Sequence, residues 1–345
     1  MPPLSSLPDE FVEEVLLRLP PDPPASLVRA GLVCKRWCRL VSGAGFRRRF
    51  REFHRPSPPI LRFLYDQRDV AGGGGHVARF IPMPASFPPH HHAGHRGMSP
   101  WDSRHGRVLL RSYHLTFTIV VWDPVTDQQL ELPKPPPSFS PGIWTVAVLC
   151  AAAVGGGCDH LDCNGGPFLV VLMGTNGDKV FSYVYSSEAG TWNLPAANSV
   201  CNNELLCPAL VELTTMEDGR LGFTRVENFR LSLWSRQVEE NGWAESGFIE
   251  LMDLLPVGAD PTSLYVIGCA DSIGVVFLYS NVGTLTVDLK SSRVTKVWDS
   301  FLADMFPYVS FYTPGACLMH PPCPLISATL LMRDLPISRL NTICS

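Results

Sequence analysis

Three residues of the kind that bind soft metal ions fall within six positions in Cys158-x-His160-x-x-Cys163, with Asp159 and Asp162 between them and Cys150 upstream. Thiolates and imidazole suit tetrahedral zinc, but a structural site needs a fourth ligand and usually shows paired knuckle spacing. No neighbour in sequence supplies one. The reading adopted is therefore an insertion loop between two strands, its thiols packed beneath it and its turns made by Gly155 to Gly157 and Gly165-Gly166. A metal held by Cys158, His160 and Cys163 stands as the alternative. His90-His91-His92 with His95 lies in a Pro-rich, Gly-flanked stretch, which suits a surface loop with incidental metal affinity.

Other chemistry is harder to place. The Gly72 to Gly75 run lacks the strand-to-helix setting and downstream Lys-Ser/Thr of a phosphate loop, and Gly174 to Lys179 fits a hairpin turn. Gly-x-Ser-x-Gly and His-Glu-x-x-His do not occur. Carboxylates are plentiful, yet no pair stands out by context as a glycosidase-like couple. No cofactor is called for. Trp101, Trp122, Trp144, Trp192, Trp234, Trp243 and Trp298 lie mostly in or beside apolar runs and read as core rather than as a ligand-stacking cage.

The elements that must position these residues follow from composition and pattern. At 345 residues, 46% apolar and 17% charged, the chain can bury a sizeable core, and a net charge of -4 argues against a general binder of nucleic acid or anionic membrane. The first residues, Met1-Pro2-Pro3-Leu4-Ser5-Ser6, show neither the basic nor the apolar region of a secretory signal, and the longest apolar run, Ile143 to Val154, is too short to span a bilayer. Cytosol, nucleus or both are expected, with the 11 cysteines reduced.

Pro56-Ser57-Pro58-Pro59 separates two textures. Before it, apolar residues recur at helical spacing: Phe11, Val12, Val15, Leu16 and Leu19 after a Ser6 cap; then Leu27, Val28, Leu32 and Val33; then Trp37, Leu40 and Val41; then Phe46, Phe50 and Phe53, the last three expected as a buried stripe. Between Arg29 and Arg55 cations outnumber anions nine to one, while the first helix carries Asp9, Glu10, Glu13 and Glu14. Contact with an acidic protein surface or a solvated face is the expected use of that basic cluster, since aromatic stacking platforms for nucleic acid are lacking.

Leu7-Pro8-Asp9-Glu10, Val15 to Pro20, Leu27 to Ala30, Val33-Cys34-Lys35-Arg36-Trp37 and Leu40-Val41 together resemble the F-box motif. The resemblance implies docking on the Skp-type adaptor of a cullin-based ubiquitin ligase, with Leu7, Pro8, Leu16, Leu27, Val33, Cys34 and Trp37 forming or supporting the docking face. It further implies a non-catalytic substrate-recognition subunit of an SCF-type E3 ligase, whose remaining domain captures a protein target.

From residue 60 onward, short β runs alternate with Gly, Pro, Asp and Ser, as in Thr118 to Trp122, Phe168 to Leu172 and Val275 to Tyr279. A loose repeat places an aromatic or Val before Asp or Ser, then a polar turn and another strand. Its anchors, Trp122, Tyr185, Trp234 and Val287, recur at about the 40 to 50 residues of a propeller blade, the first interval stretched. The expected fold is thus multidomain, α plus all-β: an F-box helical domain over 1–55, a linker at 56–59, a β-propeller-like domain over 60–312 and an atypical Pro/Cys-containing tail over 313–345.

Asp102 to Leu110, Val121 to Thr126, Cys158 to Phe168 and Tyr183 to Ser187 are similar to landmarks of plant, grass-type F-box proteins with a C-terminal β domain. Against that family, the passage from Asn198 to Phe223 is short, so the propeller is expected to lack about one blade, leaving its closure open. The alternatives to target capture are a sugar-binding or enzymatic β domain, or a degenerate member with no target.

Overall fold

A computed structural model describes residues 7–21, 25–54, 60–69, 75–80, 95–112, 117–136, 144–153, 158, 160, 163–176, 179–193, 211–216, 220–237, 242–299 and 305–310. The Ser6 cap, the 56–59 linker, His90 to His92, Gly72 to Gly74, Gly155 to Gly157 and the 313–345 tail lie outside them. The chain forms two compact units, one holding the helices and the other, Phe63–Ile81 with Ala93–Val309, holding the sheets.

The helical unit contains α1 (Asp9–Leu17), α2 (Ala25–Val33), α3 (Lys35–Ser42) and α4 (Ala44–His54). Asp9 and Glu10 place negative charge beside the positive end of α1. Val12, Leu16 and Leu17 form its inner side, meeting Leu27 and Ala30 of α2, Val41 of α3, and Phe46 and Phe50 of α4. Burying such side chains contributes roughly 1.5–3 kcal/mol each. Phe53 does not complete the expected buried stripe: it is 52% exposed. His54 takes that place instead, its ring 4.5 Å from that of Phe50 and its Nε2 2.9 Å from the Leu17 carbonyl.

Among the described residues the β unit is a five-bladed propeller, each blade a four-stranded sheet. The second blade holds β4 (Ser99–Arg104), β5 (Arg107–Ser112), β6 (Thr118–Asp123) and β7 (Gln128–Glu131). The third holds β8 (Trp144–Cys150), β9 (Phe168–Asn176), β10 (Lys179–Ser186) and β11 (Thr191–Asn193). The fourth holds β12 (Val211–Thr215), β13 (Leu221–Glu227), β14 (Arg230–Gln237) and β15 (Gly242–Glu250). The fifth holds β16 (Tyr265–Ala270), β17 (Val275–Ser280), β18 (Gly283–Asp288) and β19 (Val294–Trp298).

The first blade is composite. Strands β1 (Ile60–Asp69), β2 (Gly75–Phe80) and β3 (His95–Arg96) are joined by β20 (Met305–Val309), which pairs with β1. The leading strands then complete a circuit: β4 lies against β8, β8 against β12, β12 against β16, β16 against β20, and β20 against β4. The array closes without a further blade between Tyr185 and Trp234, because Trp234 belongs to the blade directly after that of Tyr185. Closure removes the open edges that an interrupted array would expose.

Strands buried on both faces explain the uninterrupted apolar runs. In β8 and β9, Val146, Val148, Val170 and Leu172 face Leu109, Ile119 and Val121 of the second blade. The alternate residues Ala147, Val171 and Met173 face Val211, Leu213 and Phe223 of the fourth. Asp123 Oδ1 accepts the amides of Val125 and Thr126, and Asp288 Oδ1 those of Lys290 and Ser291, so the repeated anchor acid closes the turn between third and fourth strands. Asn176 pairs with Lys179, as the expected hairpin requires.

Candidate functional site

The helical unit presents its own candidate face. Pro8, Phe11 and Val15 follow one stripe of α1, and Phe11 and Val15 are 63% and 59% exposed, while Leu32 of α2 is 39% exposed. Of the residues expected at an adaptor face, Pro8 is exposed, and Val33 and Cys34 are half-buried. Leu7 and Trp37 pack partly against the core. Leu16 and Leu27, each 1% exposed, are core residues and can only support such a face. Phe11, Val15 and Leu32 were not singled out in sequence as face residues, since helical spacing alone does not say which of two adjacent apolar stripes turns inward.

Part of the basic cluster is used within the unit itself. Arg36 Nε donates to Asp9 at 2.6 Å, and Arg36 also donates to the Leu7 carbonyl, tying α3 to the start of α1. Arg49 of α4 reaches Glu13 at 2.5 Å and Glu14 at 3.2 Å. The polarised charge seen in sequence thus folds back on itself in these pairs.

In the propeller the densest chemistry gathers where the first strands of the blades end. Arg104, at the end of β4, donates from Nε to Asp102 at 3.0 Å, from Nη2 to Glu212 of the fourth blade at 3.0 Å, and from Nη1 to Asp271 after β16 at 3.1 Å. Asp102 Oδ2 also accepts the Val148 amide of the third blade at 2.7 Å. Asp271 accepts the Thr214 hydroxyl at 2.7 Å and the Thr215 amide at 3.1 Å. The guanidinium therefore links the second, fourth and fifth blades, and Asp102 adds the third.

The ionisation of the three carboxylates differs because their surroundings differ. Burial pushes Glu212 up to about 8, against the pull of Arg104, so it holds its proton at neutral pH. Burial likewise raises Asp102, with Arg104 and the Val148 amide opposing. Burial also acts on Asp271, but Arg104, His105 and the bonds from Thr214 and Thr215 outweigh it and hold this acid below its usual range. With Arg104 at 2%, Asp102 at 3% and Asp271 at 5% exposure, the group stitches blades together rather than offering a nucleophile or base to a substrate.

Beside it, the two-residue turn between β4 and β5 carries positive φ at His105 and Gly106, the form that matches the twist of paired strands. Burial pushes His105 down to about 4, and its ring lies 4.7 Å from that of His160. His160 and Cys158 belong to the β8–β9 connection, Cys150 ends β8, and Cys163 opens a short 3-10 turn. The structure brings all four together, with their ligand atoms within 4.8 Å of one another. Cys150 is the fourth partner that sequence spacing did not supply. His95, by contrast, stacks edge-on against Trp122 at 4.3 Å.

Trp101 and Trp122 are buried, and Trp144, Trp192, Trp234 and Trp243 pack against the blade cores, as expected of structural aromatics. The Trp298 side chain lies outside the described set. Among the described residues, no helix is long and apolar enough to cross a membrane.

The chain thus joins a helical unit with an exposed apolar stripe to a propeller domain. Residues 4–52 match the F-box-like family, so the chain carries an F-box-like domain. It is also similar to an Arabidopsis thaliana protein named "Putative F-box protein", 29% identical over an alignment of 154 residues, with 40% of this chain and 35% of that relative covered. The chain thus spans about a third of the length of the curated relative it matches.

Proposed function

We propose that the chain is the substrate-recognition subunit of an SCF-type ubiquitin ligase. The helical unit docks on the Skp-type adaptor, and through it a cullin, while the propeller holds a protein target. The F-box-like match over residues 4–52, on helices that leave Phe11 and Val15 in solvent, carries this reading. No catalytic step is assigned to the chain: tethering the target near the conjugating machinery raises its effective concentration there. Cytosol, nucleus or both are the proposed compartments.

The test is co-purification of the full chain with a plant Skp-type adaptor. Phe11→Glu/Val15→Glu changes only exposed side chains and is expected to abolish capture while leaving the fold intact. Leu7→Ala/Pro8→Ala/Trp37→Ala is expected to lose capture as well, although Leu7 and Trp37 also touch the core. A folded wild-type chain that does not bind the adaptor would overturn the proposal.

A further inference from the structure

We propose that Cys150, Cys158, His160 and Cys163 form a structural zinc site that clamps the connection between β8 and β9. Zinc–sulfur bonds of about 2.3 Å and zinc–nitrogen bonds of about 2.0–2.1 Å define a tetrahedron with sulfur–nitrogen edges of about 3.6 Å and sulfur–sulfur edges of about 3.8 Å. Cys163 Sγ and His160 Nδ1 lie 3.6 Å apart, and all four ligand atoms fall within 4.8 Å of one another. A small inward movement of the thiols closes the set around an ion.

The backbone is arranged for this convergence. His160 has a φ of 56°, a left-handed conformation that non-glycine residues seldom adopt, and its amide donates to Cys158 Sγ at 3.4 Å. Arg107 Nη2 donates to the carbonyls of Cys163 at 2.8 Å and Gly166 at 2.5 Å, fixing the turn that carries the third thiol. Such outer contacts orient ligands in metal sites. Binding Zn²⁺ as three thiolates releases three thiol protons to solvent and leaves one net negative charge, with the Arg107 cation beside it. The sulfur-rich donor set selects zinc over magnesium or calcium, and four protein ligands leave no open position for catalysis.

The experiment uses the untagged full chain, purified under reducing conditions, with zinc measured by elemental analysis after dialysis and the site then refilled with Co²⁺. Wild type is expected to retain about one equivalent and, with Co²⁺, to show thiolate charge-transfer bands and the visible bands of a tetrahedral ion. Cys158→Ser, at a half-buried position, is expected to lose both signals; His90→Ala/His91→Ala/His92→Ala is expected to keep them. Folded wild type without zinc or a tetrahedral cobalt spectrum, zinc retained undiminished by Cys158→Ser, or a Cys150–Cys163 disulfide under reducing conditions would each overturn the site. If Cys158→Ser does not fold, the wild-type cobalt spectrum decides.

Discussion

In the helical unit Arg49 meets Glu13 and Glu14 with 46% of its side chain in solvent, whereas in the propeller Arg104 meets three carboxylates at 2% exposure. The same pairing has opposite consequences. Water screens the exposed pairs, which therefore contribute little. Arg104 has lost its hydration, so its carboxylate and backbone-linked network must be complete, and the blades it joins are held in one arrangement. Apolar side chains do not divide in this way: the propeller buries Phe223 and Phe277 and the helices bury Val41 and Phe50, while Phe11 and Val15 in one unit and Phe248 and Met252 in the other stay in solvent. Under the proposed function the helical unit is the docking element and the propeller the rigid holder of the target.

The largest effect that sharpens this contrast is expected from Arg104→Met. Removing the cation leaves Asp102 and Asp271 without their counter-charge and Glu212 without its donor, and should cost roughly 3–5 kcal/mol, measured by urea unfolding of the full chain. A loss under about 1 kcal/mol would show that the network is not what holds the blades.

A medium effect is expected from pH. Glu212 has a folded-state value of about 8 against 4.5 in an unstructured chain, so the folded form binds the proton more tightly. Its contribution is fully present below 4.5 and is lost as pH rises to about 8, with a slope of at most about 1.4 kcal/mol per pH unit. Glu212→Gln should flatten this fall in unfolding midpoints measured across that window. An unchanged profile would place the fall elsewhere. The smallest effect belongs to Arg49→Ala, expected to cost under about 1 kcal/mol and less still in high salt. A larger loss would make the helical unit resemble the propeller after all.

Four blades were legible in the sequence because an aromatic or Val before Asp or Ser repeats in them, and in two of them the acid, Asp123 or Asp288, accepts the turn amides where the third strand passes to the fourth. The first blade was not, since β20 reaches β1 only through a pairing between distant ends of the sheet domain. Closure stayed open in the sequence for the same reason, as it is a long-range property. At the candidate site, Asp102 and Arg104 stand two apart on β4 and so share a face, the one part of the network that local spacing shows. Their partners Glu212 and Asp271 lie 108 and 167 residues from Arg104, beyond any local pattern. Cys150 joins Cys158, His160 and Cys163 because β8 pairs with β9, setting Cys150 opposite Phe168.

Amide hydrogen exchange of the full chain, with and without a plant Skp-type adaptor, tests the division of labour most directly. New protection confined to α1, α2 and α3, with β4, β8, β12 and β16 unchanged, is expected. Protection that appears in the propeller strands instead, or none in the helices at saturating adaptor, would contradict docking through the helical unit.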